Sequence, residues 1–207
     1  TALEDLNAGA EGYNVAVGYN AGLNVSTGTE NTIMGGLAGD ALTTGARNVA
    51  IGYHALGGED AHGKNVAIGY QALKAQDAGA DAYNVAIGYS TGENISTGVQ
   101  NVLMGGKAGD ALTTGGYNVA IGHEALSAED GHGKNVAIGW QALSDQNAGA
   151  DAFNIGIGYN AGKAMTTGIR NVIMGGLAGD ALNTGSNNIA IGYEALTTED
   201  GNGRNIA

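Results

Sequence analysis

The stretch that decides the fold is Asn48-Val49-Ala50-Ile51-Gly52-Tyr53, because close copies of it recur along the whole chain. Internal periodicity of this kind has to be interpreted before any local pattern. Successive leading asparagines are separated by 17, 17, 17 and then 19 residues. This series repeats, so four units form a superrepeat of 70 residues. The copies begin at Asn14, Asn31, Asn48, Asn65, Asn84, Asn101, Asn118, Asn135, Asn154, Asn171, Asn188 and Asn205.

Each unit has the pattern of one short strand. Large apolar residues alternate over the positions after the asparagine, and a glycine closes the run. A unit of this length is too short for a helical crossover between parallel strands. The pattern therefore predicts an all-β fold, a parallel β-solenoid of about twelve coils of 17 or 19 residues, with strands stacked about 4.8 Å apart. Residues 1–207 are predicted to form a single domain of three superrepeats.

The invariant positions of the unit suit the corners of a coil. Glycine provides backbone angles that other residues resist, and asparagine tolerates the left-handed region. Stacked asparagine amides also hydrogen-bond between rungs in cross-β assemblies. The predicted structural ladder contains the first eleven asparagines and the glycines that follow them by four, among them Gly18, Gly35, Gly52, Gly69 and Gly88.

The apolar content of a unit predicts self-association. We expect a typical coil to bury three sizeable side chains, such as Val49, Ile51 and Leu56. This burial offsets only part of the entropy lost when a whole unit becomes ordered. Burial of a second face against other copies of the chain provides further stabilisation, so a homotrimer is predicted. The two ends of the chain are in phase with the repeat, which predicts a window of a longer array, or end-to-end stacking of protomers.

The charge balance limits the partners. The net charge is −12, with only 8 Lys and Arg residues. Nucleic acids demand a basic face and anionic membranes attract basic segments, so neither is expected as a partner. No apolar run reaches the roughly 18 residues of a membrane span, so membrane insertion is not predicted. No Ser/His/Asp set or carboxylate pair stands apart from the repeats, so the chain is predicted not to be an enzyme.

The sequence NVAIGYQAL at residues 65–73 and its copies resemble the head repeats of trimeric autotransporter adhesins. They are equally similar to the repeat stretches of bacteriophage tail fibres. The resemblance covers essentially the whole chain, although the unit here is longer than in adhesin heads. It implies a left-handed parallel β-roll with three chains about one axis, extracellular on a cell surface or virion. The implied function is a structural or adhesive fibre whose partners are its own copies and a cell-surface glycan or protein receptor.

An aromatic row occupies one offset of the unit. If the row faces outward, it provides stacking surfaces for sugars or an interface, and if it faces inward it only packs. The sequence leaves both orientations open. The candidate ligand-facing aromatics are Tyr19, Tyr53, Tyr70, Tyr89, Trp140, Tyr159 and Tyr193.

Two binding activities form the alternative, a monomeric solenoid that binds calcium or ice. Glu59, Asp60 and Asp77 are the calcium candidates, because Asp60 and Asp77 share one offset in adjacent coils and oxygen ligands suit calcium. The rival interpretation is a set of solvated acidic loops. Thr-Thr-Gly segments suggest an ice-binding face, but the threonines are absent from the following coils. His62 and His132 lie one superrepeat apart and their third equivalent is Asn202, so exposed loop residues are expected there.

Overall fold

The computed structural model describes residues 1–7, 11–198 and 200–207. Its eleven strands form one parallel sheet in sequence order, each paired with the strand before and the strand after it. No α-helix occurs in these described ranges. The predicted all-β parallel β-solenoid is therefore confirmed. The strands are β1 Val15–Val17, β2 Thr32–Met34, β3 Val49–Ile51, β4 Val66–Ile68, β5 Val85–Ile87, β6 Val102–Met104, β7 Val119–Ile121, β8 Val136–Ile138, β9 Ile155–Ile157, β10 Val172–Met174 and β11 Ile189–Ile191.

Equivalent residues of successive units stand one above the other. Ala50 pairs with Ala67, for example, and the same register continues through every pair of strands. The longer units keep this register, since Ala67 pairs in turn with Ala86. The twelve asparagines predict twelve coils, whereas the described residues form eleven strands. After the twelfth asparagine, Ile206 forms an isolated bridge to Ile189, and the Ala207 N–H donates to the Ile189 oxygen (2.9 Å).

The prediction of which strand residues are buried was wrong for the large ones. Ala50 is completely buried, whereas Val49 and Ile51 on either side of it point outward and are half-buried. Leu56 is completely buried, as predicted. The leucine fills the interior of a narrow coil and leaves room for little more than a methyl group from the strand. Alternation in the sequence marks two faces but does not say which of them is inside.

The interior volume is balanced within and between coils. In the coil of β2 the inward strand residue is the larger Ile33, and Gly39 stands where other coils place a leucine. In β9 the inward residue is Gly156, and a Cβ built there would lie 2.6 Å from Cγ of Leu143. Native-like packing density requires this exchange of large for small residues.

The glycine after each strand is required by conformation and by space. Gly105 has a φ of +124°, and a Cβ at this position would lie 2.6 Å from the backbone oxygen of Gly122 in the next coil. A residue with a side chain is therefore excluded by strain and by collision together. The other glycines at this offset have φ between +128° and +142°.

Residues other than glycine also adopt positive φ in every coil, which the sequence did not predict. In one coil Arg47, His54 and Leu56 have φ of +62°, +56° and +53°. Such angles are rare for these residue types. The neighbouring coils fix them, because the Leu56 N–H donates to the Ala72 oxygen (3.0 Å) and the His54 N–H to the Gly36 oxygen (3.0 Å).

The asparagines form a continuous line of hydrogen bonds from coil to coil. The Oδ1 atom of each asparagine accepts from the backbone N–H of the next one, as Oδ1 of Asn31 does from Asn48 (2.9 Å). Eleven such bonds of 2.8–3.1 Å extend from Asn14 to Asn205. Each side-chain amide thus satisfies a backbone donor that no strand partner reaches.

The side-chain NH2 group of the asparagine forms a hydrogen bond across the interior of its own coil. In Asn101 it donates to the Gly115 oxygen (2.9 Å), 14 residues further along. The longer coils are the exception, since Nδ2 of Asn65 and of Asn135 is buried and has no hydrogen-bond partner. In those coils the two extra residues displace the carbonyl that would accept from the asparagine. The buried side-chain oxygen of Gln76 or Gln146 accepts a hydrogen bond from Nδ2 of the asparagine in the next coil.

Candidate functional site

One extended surface feature is the side of the sheet that faces away from the coil interior, which we call the outer sheet face. It consists of two columns of side chains, one from each end of every three-residue strand. All are apolar except Thr32, and none is charged. Its members are Val15, Val17, Thr32, Met34, Val49, Ile51, Val66, Ile68, Val85, Ile87, Val102, Met104, Val119, Ile121, Val136, Ile138, Ile155, Ile157, Val172, Met174, Ile189 and Ile191.

The outer sheet face is open to solvent in the single chain. Its most exposed members retain between 37% of their accessible surface, as in Val102, and 59%, as in Ile191. The rest are half-buried, mainly by the rungs above and below them. Contiguous apolar surface on this scale indicates an interaction site. The sequence contained this signal, since the large apolar residues lie on the strand side opposite the alanines, but their size had suggested an interior position.

The aromatic row lies outside the coil. Its candidate residues are exposed by 42% at Tyr70 to 75% at Tyr19. Tyr53, Tyr70 and Tyr89 form a continuous stack, with ring centroids 5.6 and 5.2 Å apart and nearly parallel planes. Because the row begins two residues after each strand ends, its backbone lies within about 7 Å of the outer sheet face. Of the two orientations left open by the sequence, the structure shows the outward one.

His123 and Trp140 continue the row in the second superrepeat, with ring centroids 4.5 Å apart. Glycine interrupts the row once in each superrepeat. At Gly36 a Cβ would lie 3.6 Å from the ring of Tyr53, so the ring occupies part of the space that a side chain there would use. The row is therefore divided into short stacks rather than one unbroken strip.

A second set of exposed aromatics was missed by the sequence analysis. Its members immediately precede the asparagines, and this offset would have revealed them. Lys64 Nζ lies 5.0 Å from the ring centroid of Tyr83 and bonds its hydroxyl (2.9 Å), and Lys134 covers Phe153 at 5.2 Å from its centroid. The set is Tyr13, Tyr83, Tyr117 and Phe153, each 49% or more exposed.

The same lysines form ion pairs across coils. Lys64 bonds Asp81 at 2.5 Å, and Lys134 bonds Asp151 in the next superrepeat. The hydrogen bond from Lys64 is the main reason that the pKa of Asp81 is lowered from its ordinary value, and Lys134 has the same effect on the pKa of Asp151. These pairs are exposed to solvent, so they orient loops more than they stabilise the fold.

The acidic loop after β3 brings together the calcium candidates. Ligand atoms of Glu59, Asp60 and Asp77 lie within 4.8 Å of one another, and a nitrogen of His62 lies in the same group. Glu59 is completely buried, and burial is the main reason that its pKa is raised to about 7, against the opposing effect of the His62 N–H. The calcium prediction stays a prediction, but the ligand set is not composed of oxygen alone.

The Thr-Thr-Gly segments do not present a free row of hydroxyls. The hydroxyl of Thr43 donates to the backbone oxygen of Asp60 (2.9 Å), and that of Thr113 donates to Asp130 (2.8 Å). These hydroxyls hold the loop of the next coil in place. The structure therefore gives them a local structural role.

Within the described part of the chain, no helix has the length and apolar character needed to cross a membrane. Comparisons with family models, with curated proteins and with solved structures find no match for the chain.

Proposed function

We propose that this chain is a non-enzymatic segment of an extracellular fibre. Three copies pack about one axis, as a left-handed β-roll trimer of the kind that the resemblance to adhesin heads and phage tail fibres implies. The assembly spans distance as a rigid rod and presents side chains on a cell or virion surface. The single observation that carries the proposal is the outer sheet face, a continuous apolar surface along eleven rungs.

The size of this surface suits association between chains. Ten steps of about 4.8 Å give the sheet a length of about 48 Å, and three residues give it a width of about 10 Å. With the neighbouring aromatic row the strip is about 16 Å wide, which corresponds to roughly 800 Å² for each chain. This is about the area that a stable assembly buries on each chain, and in a trimer it is divided between two neighbours. The strands alone provide about 480 Å² by the same spacing, so the aromatic row belongs to the proposed interface.

The regularity of the surface favours another copy of the chain as the occupant. The outer sheet face repeats at the spacing of a β-ladder and contains no charged group. A partner of different fold matches such a surface at a few points only. A second copy presents the same apolar residues at the same interval, so every rung finds an equivalent rung. Closed point-group symmetry limits such an assembly to a defined number of chains. The resemblance to adhesin heads and tail fibres implies that this number is three.

The aromatic side chains away from the interface provide the adhesive part of the proposal. Tyr83, Tyr117 and Phe153 precede the ladder asparagines, on the opposite end of the strand from the aromatic row. Exposed rings of this kind stack on sugar rings. A cell-surface glycan or protein is the proposed receptor, and the first and last rungs of the solenoid are the proposed surfaces for end-to-end stacking.

A charge placed on the outer sheet face tests the proposal. Ile121→Glu introduces a carboxylate into the proposed interface, and Thr97→Glu introduces one into a loop as the matched control. Light scattering after size-exclusion chromatography should show dissociation of the first variant and an unchanged mass for the second. Equal masses for both variants and the unsubstituted chain would contradict an interface on this face.

The alternative is a monomeric solenoid that binds calcium or ice. It predicts a monomer in the experiment above. It further predicts thermal hysteresis for ice binding, or a lower unfolding midpoint in EDTA that added calcium restores. A trimer with neither response supports the fibre.

A further inference from the structure

The loop after β3 holds a group of side chains that the fibre proposal does not use. Glu59, Asp60 and His62 belong to one coil, and Asp77 comes from the next coil at the offset of Asp60. Each offers one ligand atom, and the four atoms lie within 4.8 Å of one another. The loops that carry them are fixed by neighbouring coils, since the Asp60 oxygen accepts from the Thr43 hydroxyl and the Asp77 N–H donates to the Ser96 oxygen.

Two polar atoms in this group are buried without a hydrogen-bond partner. Glu59 has no exposed surface, and its Oε1 accepts the His62 N–H (3.1 Å), whereas its Oε2 accepts no hydrogen bond. Nδ1 of His62 is likewise buried without a hydrogen bond, 3.8 Å from Oε1 of Glu59. Buried carboxylate oxygens and ring nitrogens are normally satisfied. Because both atoms belong to the same small group, a single ligand between them satisfies both.

We propose that Glu59, Asp60, His62 and Asp77 bind one divalent transition-metal cation of the Zn²⁺ class. An imidazole nitrogen combined with carboxylate oxygens is a zinc-type ligand set, whereas calcium takes oxygen ligands only. At metal–ligand distances of about 2.0–2.2 Å, the ligand atoms of a tetrahedral Zn²⁺ site lie about 3.3–3.6 Å apart. Ligand atoms at the observed limit of 4.8 Å must therefore approach one another by about 1.2–1.5 Å when the ion binds.

The superrepeat supplies a second, different copy of the site. Glu129, Asp130 and His132 form the same group one superrepeat later, and Oε2 of Glu129 and Nδ1 of His132 are again buried without hydrogen bonds. Asn147 stands at the position of Asp77, so this copy has a neutral amide in place of the third carboxylate. The proposal therefore predicts two sites in each chain, the first tighter than the second.

The third superrepeat lacks the complete set of ligands. Asn202 replaces the histidine there, and Glu199 lies outside the described residues. No third site is therefore proposed.

Metal binding to the complete chain tests the proposal, and it does so independently of the trimer. The protein is stripped with EDTA, dialysed, and titrated with Zn²⁺ by calorimetry, with bound metal counted by elemental analysis. Two Zn²⁺ ions per chain are expected, and Co²⁺ in their place should give visible absorption typical of nitrogen and oxygen coordination. Ca²⁺ should not displace Zn²⁺.

Three variants identify the ligands. His62→Asn should leave one ion per chain, and His62→Asn combined with His132→Asn should leave none, with affinity lowered at least about tenfold at each altered site. Asparagine at this offset already occurs at Asn202. Glu59→Gln preserves shape and should also remove the first site. The matched control is His123→Tyr, which introduces the residue that Tyr53 places at the same offset of the unit. This variant should retain both ions.

The proposal would be overturned by the absence of Zn²⁺ binding to the folded chain, by an unchanged stoichiometry in the double histidine variant, or by preferential binding of Ca²⁺. Far-UV circular dichroism of each variant establishes that the solenoid is intact. If Glu59 is only a buried neutral acid, the glutamine variant and the unsubstituted chain will bind the same amount of metal, which also overturns it.

Discussion

The asparagine ladder makes a quantitative prediction, because two of its members differ in one hydrogen bond. Oδ1 of Asn101 accepts the Asn118 N–H (2.9 Å), and its Nδ2 donates to the Gly115 oxygen (2.9 Å). Oδ1 of Asn135 accepts the Asn154 N–H (3.1 Å), but its Nδ2 has no partner. Both side chains are completely buried. Substitution by alanine removes the same atoms from the two positions.

The expected costs follow from the groups left behind. Asn101→Ala leaves a buried N–H and a buried carbonyl unsatisfied, and each costs about 1–3 kcal/mol, so the free energy of unfolding should fall by about 2–6 kcal/mol per chain. Asn135→Ala leaves only one such group and removes a donor that was already unsatisfied. Its cost should be smaller by about 1–3 kcal/mol. The cavity contribution is nearly the same in both and cancels in the difference.

Guanidinium-induced unfolding followed by circular dichroism measures this difference. All proteins are compared at equal concentration, because the stability of an assembly depends on it. The midpoint should move without a change in slope, which shows that the unfolding unit is unaltered. Equal losses for the two variants, or a larger loss for Asn135→Ala, would refute the hydrogen-bond account of the ladder.

Three further predictions concern the coil itself. Gly105→Ala should abolish folding or lower the free energy of unfolding by more than about 3 kcal/mol, because its Cβ would collide with the next coil. Gly79→Ala is the control, since Gly79 has a φ of +66° and nothing lies within 4 Å of its Cβ position. It should cost about 1 kcal/mol in the same unfolding assay. Ala120→Val should lower the free energy of unfolding by about 1–3 kcal/mol, because it overpacks the coil interior. Ile121→Val on the outer sheet face should lower it by less than about 1 kcal/mol. The reverse order would contradict the assignment of the two faces. Burial is the main reason that the pKa of Asp110 is raised. The folded state therefore binds this proton more tightly, so stability should increase as pH falls through the folded-state pKa towards the ordinary 3.8. Asp110→Asn should reduce that increase when unfolding is measured at pH 7 and pH 4, and an equal pH dependence of the two proteins would contradict it.

The sequence was sufficient for the architecture because the repeat is nearly exact. A strand, a glycine and an asparagine at fixed spacing leave parallel stacking as the economical solution, and the register of Ala50 with Ala67 follows directly. The face of the strand that lies inside could not be derived in the same way. It depends on the width of the coil, which is set by Leu56 and by corners whose geometry the sequence does not display.

The corners were hidden because they use residues that normally avoid positive φ. Arg47 and His54 adopt such angles only because hydrogen bonds from stacked coils hold them. The sequence revealed the acidic metal candidates but not the histidine. Glu59, Asp60 and Asp77 share a clear pattern of acidic loop residues, whereas the contribution of His62 depends on burial of its ring nitrogen, which is a property of the folded loop.

The molecular mass in solution is the most direct test of the proposed fibre. Sedimentation equilibrium at micromolar concentration should give three times the chain mass of 20.5 kDa, because the outer sheet face is then buried between three copies. A stable species of 20.5 kDa with this face open to water would contradict the proposal.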